Sequence, residues 1–125
     1  MNNLKMMGVL AGLMKNKDGL RDAGERIQEK AAGLRSIGQA GGGAVRAEVD
    51  GKMTVLSIEI EPALASGLAA DDGSRAMAQD LIVEAVNDAM AKSQMAMRDV
   101  VVQEAKELGL PELPAELGDL GRLLP

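Results

Sequence analysis

The stretch from Ala44 to Pro62 constrains the fold more than any other part of the chain. Val45, Ala47 and Val49 alternate with Arg46, Glu48 and Asp50, the period-2 pattern of a half-buried strand. Asp50-Gly51 follows as a hairpin turn signal, because glycine and its acidic neighbour tolerate positive φ. Beyond it, Thr54, Leu56, Ile58 and Ile60 alternate with Met53, Val55, Ser57, Glu59 and Glu61. Pro62 has no N–H to give to a ladder and is expected to end the pairing. No other segment reads as a strand. A lone two-stranded hairpin is marginal in water, so its open edge needs a cover, and a second copy of the chain is the simplest one.

Composition supports the same expectation and narrows the chemistry. The chain has 125 residues, one domain's worth, with no cysteine, histidine, tryptophan, tyrosine or phenylalanine. Without cysteine there is no disulfide framework and no thiolate metal site, which fits a reducing cytoplasm. Without histidine the commonest general base and metal ligand are missing. A core of Leu, Ile, Val, Met and Ala buries less area per residue than one with aromatics, and an oligomer would make up the difference. No apolar run approaches the roughly 20 residues of a membrane span. The apolar segment Met6–Met14 behind Lys5 leads directly into a charged helical pattern and is not read as a signal peptide.

The net charge of −5 is unevenly placed. Residues 1–40 carry Lys5, Lys15, Lys17, Arg21, Arg26, Lys30 and Arg35 against Asp18, Asp22, Glu25 and Glu29, while the rest of the chain is strongly acidic. A basic segment on an acidic body suits a local anion-binding surface; a solvated helix of mixed charge is the plainer reading. The segment is expected to form a helix from about Leu4 to Ile37, since Met6, Leu13, Leu20, Ile27 and Leu34 recur every seven residues. A bend is expected around Asn16–Gly19, and Asp22, Glu25 and Glu29 are placed for i,i+4 pairs with the neighbouring cations.

Gly38–Gly43 reads as a linker from helix to strand. It is not a P-loop, which needs a preceding strand, a following helix and a Gly-Lys-Ser/Thr end. Asp71-Asp72-Gly73-Ser74 lacks the later ligands of a calcium loop and reads as the N-cap of a second helix, from about Arg75 to Leu108. Ala78, Leu81, Ile82, Ala85, Ala89, Ser93, Ala96 and Val100 trace one face of that helix, and its many alanines imply a close approach to the hairpin. Met77, Met90, Met95 and Met97 could make an adaptable binding surface, but filler in place of the absent aromatics is the plainer reading. Residues 1–108 are taken as the domain. Residues 109–125, rich in Leu, Pro and Gly, are taken as a loosely ordered tail whose leucines could dock on a partner or a second copy. No hydroxyl sits in a nucleophile motif and no carboxylate pair has a partner set, so no enzymatic activity is expected.

The sequence Val45–Gly51, then Ile58-Glu-Ile-Glu-Pro62-Ala-Leu64, then Asp80-Leu-Ile-Val-Glu-Ala-Val-Asn-Asp-Ala89 resembles the YbaB/EbfC family of bacterial nucleoid-associated proteins. The resemblance covers roughly residues 4–100 and rests on the combination of hairpin and helix. It implies an α+β fold of two layers, in the order α-β-β(-β)-α, with a small antiparallel sheet and long flanking helices. It also implies a tweezer-like homodimer joined through its sheets, here Val45, Val49, Leu56, Ile58 and Ile60.

The implied function is binding of double-stranded DNA in nucleoid organisation or gene regulation, in the cytoplasm and nucleoid, with no cofactor, metal, small-molecule substrate or membrane. The basic residues that match the family's DNA-contacting helices are Lys15, Lys17, Arg21, Arg26, Lys30 and Arg35, with Lys92 and Arg98 on the second helix. The family usually has basic residues directly after Asn-Asp-Ala; here Met90 and Ala91 intervene before Lys92. Asn87 and Asp88 read as structural. The expected chemistry is phosphate neutralisation with little base readout and no aromatic stacking. A dimeric module that holds partner protein helices instead of DNA is the alternative.

Overall fold

A computed structural model of the chain describes residues 3–109. Its elements are α1 (Asn3–Lys15), α2 (Lys17–Gly33), β1 (Ser36–Ala40), a short turn of 3-10 helix (Gly41–Gly43), β2 (Val45–Val49), β3 (Val55–Ile60), α3 (Pro62–Ala70) and α4 (Asp72–Glu107). The result is the expected α+β fold, with a three-stranded antiparallel sheet in the order β1-β2-β3. By contacts the chain divides into one unit of residues 31–96 and a second drawn from both ends, residues 1–30 and 97–125.

In the first unit, the sheet packs one face on α4. Val45, Ala47 and Val49 of β2 are buried with Ala40 of β1 and Ala85 and Ala89 of α4. Leu64, Leu81, Ile82, Val86 and Met90 close the sides of this core. The alternation in β2 is as the sequence shows it, with Arg46 exposed and Glu48 half-buried. Ile58 lies opposite Ala47 and Ile60 opposite Val45, and the register slips once between Glu48 and Val49.

The expected linker over Gly38–Gly43 is instead the end of a strand and a turn. Ser36–Ala40 pairs antiparallel with β2, Gly38 opposite Ala47. Its inward residues, Ser36, Gly38 and Ala40, are all small and its outward residues are Ile37 and Gln39, so the pattern gives no apolar alternation to read. The reason for the small residues is proximity to α4: a Cβ on Gly38 would overlap the Ala85 carbonyl oxygen and the Ala89 amide nitrogen. Gly41, Gly42 and Gly43 then turn the chain into β2 with φ of 62°, 67° and 95°, a sequence of left-handed residues that glycine adopts without steric cost.

The second turn also differs from a simple Asp-Gly hairpin. Asp50 Oδ1 accepts the amides of Lys52 (2.9 Å) and Thr54 (3.0 Å), an Asx-type arrangement. The positive φ falls on Met53 (62°) and not on Gly51, whose amide donates to the Ala31 carbonyl at 2.8 Å. From α4 the buried Ser93 hydroxyl donates to the Asp50 carbonyl at 2.7 Å. Pro62 ends β3 as expected but opens α3, at a first-turn position where a missing N–H is harmless. Asp71 caps α4: its Oδ1 accepts the Ser74 amide at 2.7 Å and its Oδ2 the Ser74 hydroxyl at 2.9 Å. Those Ser74 bonds hold the Asp71 carboxyl below its ordinary pKa.

In the second unit, the long first helix is two helices, broken at Asn16 within the span where a bend is expected and ending at Gly33, short of Ile37. The glycine-rich sequence and Asn16 permit the break. Of residues 110–125, assigned to a loose tail, the described structure says nothing. Among the described residues no helix is long and apolar enough to cross a membrane.

Candidate nucleic-acid interface

Seven of the eight basic residues singled out in the sequence fall into three groups. Lys15, Lys17 and Arg21 are exposed, at the end of α1 and in the first half of α2, and form no ion pair among the described residues. Arg26 and Lys30, one turn apart on α2, converge on a single carboxylate. Arg26 Nε donates to Glu104 Oε2 at 3.0 Å and Lys30 Nζ to Glu104 Oε1 at 2.7 Å. Glu104 is 1% exposed, whereas the two cations keep 44% and 47% of their side-chain surface. The expected i,i+4 pairs of α2 give way to this cross-helix triad. The Lys30 hydrogen bond, followed by Arg26, holds the Glu104 carboxyl below its ordinary pKa against the opposing effect of burial. Ala23, three residues before Arg26, and Ala105, next to Glu104 in sequence, are buried as well.

The third group serves the sheet. Arg35 pairs with Glu48 at 3.4 Å and donates to the carbonyls of Ala32 and Leu34. Lys92 Nζ bridges Asp88 Oδ2 (3.0 Å) and the Ile37 carbonyl (3.1 Å). Asp88 Oδ2 also accepts the Gln39 amide at 3.1 Å, and that bond, then Lys92, lowers the Asp88 pKa. Asp88 therefore has the structural role expected of it, fastening β1 to α4. Arg98 lies on the exposed surface of α4.

Glu104 was legible only in part. It lies four residues beyond Val100 on the stripe that includes Ser93 and Ala96, and a carboxylate in an otherwise small and apolar stripe signals a buried charge seeking cations. Which cations it finds depends on contacts across 74 and 78 residues of chain, outside any local pattern.

Of the sheet residues assigned to a dimer contact, Val45 and Val49 are 0% exposed in the core of the single chain. Leu56 and Ile58 are 44% and 42% exposed, and Ile60 is half-buried. The strand that carries them, β3, is an edge with both faces open along most of its length.

A small α+β protein with a cation-bearing helical surface and an uncovered apolar sheet edge is the class these features define. The chain belongs to the YbaB/EbfC DNA-binding family, whose profile matches residues 6–108. It is 35% identical over 96 residues to a nucleoid-associated protein of Pseudomonas fluorescens (strain Pf0-1), spanning 74% of this chain and 84% of that protein. The fold is also that of an uncharacterized Helicobacter pylori protein in its crystal structure, with a TM-score of 0.57 at 22% identity, covering 75% of this chain and 90% of that one.

Proposed function

We propose that the chain is a nucleoid-associated protein that binds double-stranded DNA as a homodimer, chiefly through phosphate contacts from the basic surface of α1 and α2. The observation that carries the reading is that Lys15, Lys17 and Arg21 are exposed and paired with no carboxylate among the described residues, in a chain that belongs to a DNA-binding family. Arg26 and Lys30 keep about half of their side-chain surface in solvent but share their charge with Glu104, so they and Arg98, exposed on α4, contribute less to phosphate binding. Arg35 and Lys92 contribute less, since each is held by the sheet and its carboxylate. Residues 1–108 act as the dimerising and DNA-binding part, in the nucleoid.

The homodimer is supported by β3. An edge strand with Val55, Leu56 and Ile58 each about two-fifths exposed is an unprotected template for pairing, which soluble proteins normally cover. A second copy of the same edge covers it symmetrically.

Binding by phosphate contacts has a quantitative signature, because each neutralised phosphate steepens the fall of log K with log salt by about 0.9. Three free cations on each of two protomers predict a slope near −5 for duplex DNA. The test is a salt titration of the wild type and of Lys15→Gln/Lys17→Gln/Arg21→Gln, which leaves the Glu104 triad intact. The variant should lose most of the slope while remaining dimeric. Unchanged binding by the variant, or no binding by the wild type at low salt, would favour a module that binds partner protein helices.

A further inference from the structure

The open edge of β3 fits a second β3 in one alignment. The Glu61 amide donates to the Ala44 carbonyl at 2.9 Å, and bonding direction alternates from residue to residue along an antiparallel strand. Ser57 and Glu59, opposite Glu48 and Arg46, therefore turn their backbone groups to β2, while Leu56, Ile58 and Ile60 turn theirs to the open edge. At the hairpin end the Thr54 carbonyl is already taken by the Asp50 amide at 3.1 Å. At the other end Pro62 has no N–H to offer. The edge able to pair thus runs from Leu56 to Ile60, with Ile58 at its middle.

The side chains of this edge await a neighbour. Ile58 and Ile60 lie opposite Ala47 and Val45, whose side chains are in the core, so each apolar row stops at β3 with Leu56 and Ile58 exposed beside it.

We propose, resting on the homodimer put forward above, that two β3 strands pair antiparallel about a two-fold axis through Ile58. The two sheets then join in the order β1-β2-β3-β3-β2-β1. Ile58 lies opposite Ile58 of the second copy and Leu56 opposite its Ile60, which engages every edge-facing residue and carries the apolar rows across the joint. On the outer face Ser57 lies opposite Glu59 of the second copy, where its hydroxyl can donate to the carboxylate. The neighbouring alignments are poorer. One centred on Glu59 sets two carboxylates against each other and Leu56 against a proline. One centred on Ser57 sets Ile60 against Thr54, whose carbonyl is occupied.

The absence of native cysteine lets each alignment be read by oxidising the full chain. Directly opposed Cα atoms lie about 4.5–5.5 Å apart, within disulfide reach, whereas positions offset by two residues lie about 7–8 Å apart, beyond it. Ile58→Cys should therefore cross-link to itself at least about tenfold faster than Ser57→Cys or Glu59→Cys alone. Co-refolding the Ser57→Cys and Glu59→Cys chains should give the mixed disulfide between them. All three positions are exposed in the single chain, so the substitutions leave its core intact. Fastest self-cross-linking by Ser57→Cys or by Glu59→Cys would overturn this alignment and leave the homodimer standing. A wild type that sediments as a dimer while none of these disulfides forms would place the contact away from β3 and also overturn it. A monomeric wild type would overturn the pairing and the homodimer together.

Discussion

The close approach of β1 to α4 makes Gly38→Ala the most demanding test of the fold. The added methyl would stand 2.8 Å from the Ala89 Cα and closer still to the Ala85 carbonyl oxygen and Ala89 amide. Carbon atoms in contact prefer about 3.5–4.0 Å, so strand and helix would have to separate by roughly 1 Å. The obstacle is helix backbone, which has no rotamer to change. The substitution therefore belongs at the upper end of overpacking costs, about 3 kcal/mol, before any loss of the Gln39–Asp88 and Lys92–Ile37 bonds that the same movement would stretch. At about 4 °C per kcal/mol for a chain of this size, the melting temperature should fall by about 12 °C. The assay is far-UV circular dichroism, which suits a chain without aromatic residues, at one fixed protein concentration, since association makes melting concentration-dependent. Gly42→Ala is the control: its φ is 67° but nothing lies within 4 Å of the added carbon. It should cost only the left-handed strain of about 1 kcal/mol, or about 4 °C. A Gly38→Ala variant that melts within a few degrees of wild type, or no lower than Gly42→Ala, would refute the close contact.

Three further outcomes follow from the polar contacts. Glu104→Gln removes the charge that Arg26 and Lys30 share, so DNA affinity at low salt should rise and the salt slope steepen by about 1 per released cation; an unchanged slope would mean that these residues do not meet DNA. Glu104 and Asp88 both have folded pKa values below the ordinary range, so the stability they contribute is complete above about pH 4.5 and declines as pH falls through their lowered values. Urea midpoints should therefore drop on acidification below about pH 4, less so in Asp88→Asn, and parallel curves for variant and wild type would contradict this. Ser93→Ala removes a buried donor to the Asp50 carbonyl, which keeps the Met53 amide at 3.2 Å; a loss of about 1 kcal/mol is expected by chemical denaturation, and none would mean that the bond is idle.

The parts of the fold that the sequence made legible are those where side-chain pattern and burial coincide. Val45, Ala47 and Val49 alternate because one face is core, and Ala78, Ala85, Ala89 and Ser93 recur because one face of α4 is pressed against backbone. The strand β1 escaped because that same contact selects Ser36, Gly38 and Ala40, residues with weak strand preference. The helix α3 escaped because Pro62 read as a terminator, when a proline that ends a strand can equally begin a helix. Among the candidate DNA contacts, charge and helical position could be read directly. The division into committed and uncommitted cations could not, since Glu104 and Asp88 reach their partners only through the tertiary fold.

The contact at Gly38 also bears on how the sheet finds its alignment. The inward face of β1 offers no large side chain by which one pairing with β2 could be told from another, and such strands are prone to slip. A shift of one residue, however, would drive Ile37 or Gln39 into the backbone of α4, where even a methyl group does not fit. Gly38 thus acts as a key cut for one position of the lock: α4 accepts β1 in a single register and rejects its neighbours by collision. An otherwise featureless strand is proofread by the helix it lies against.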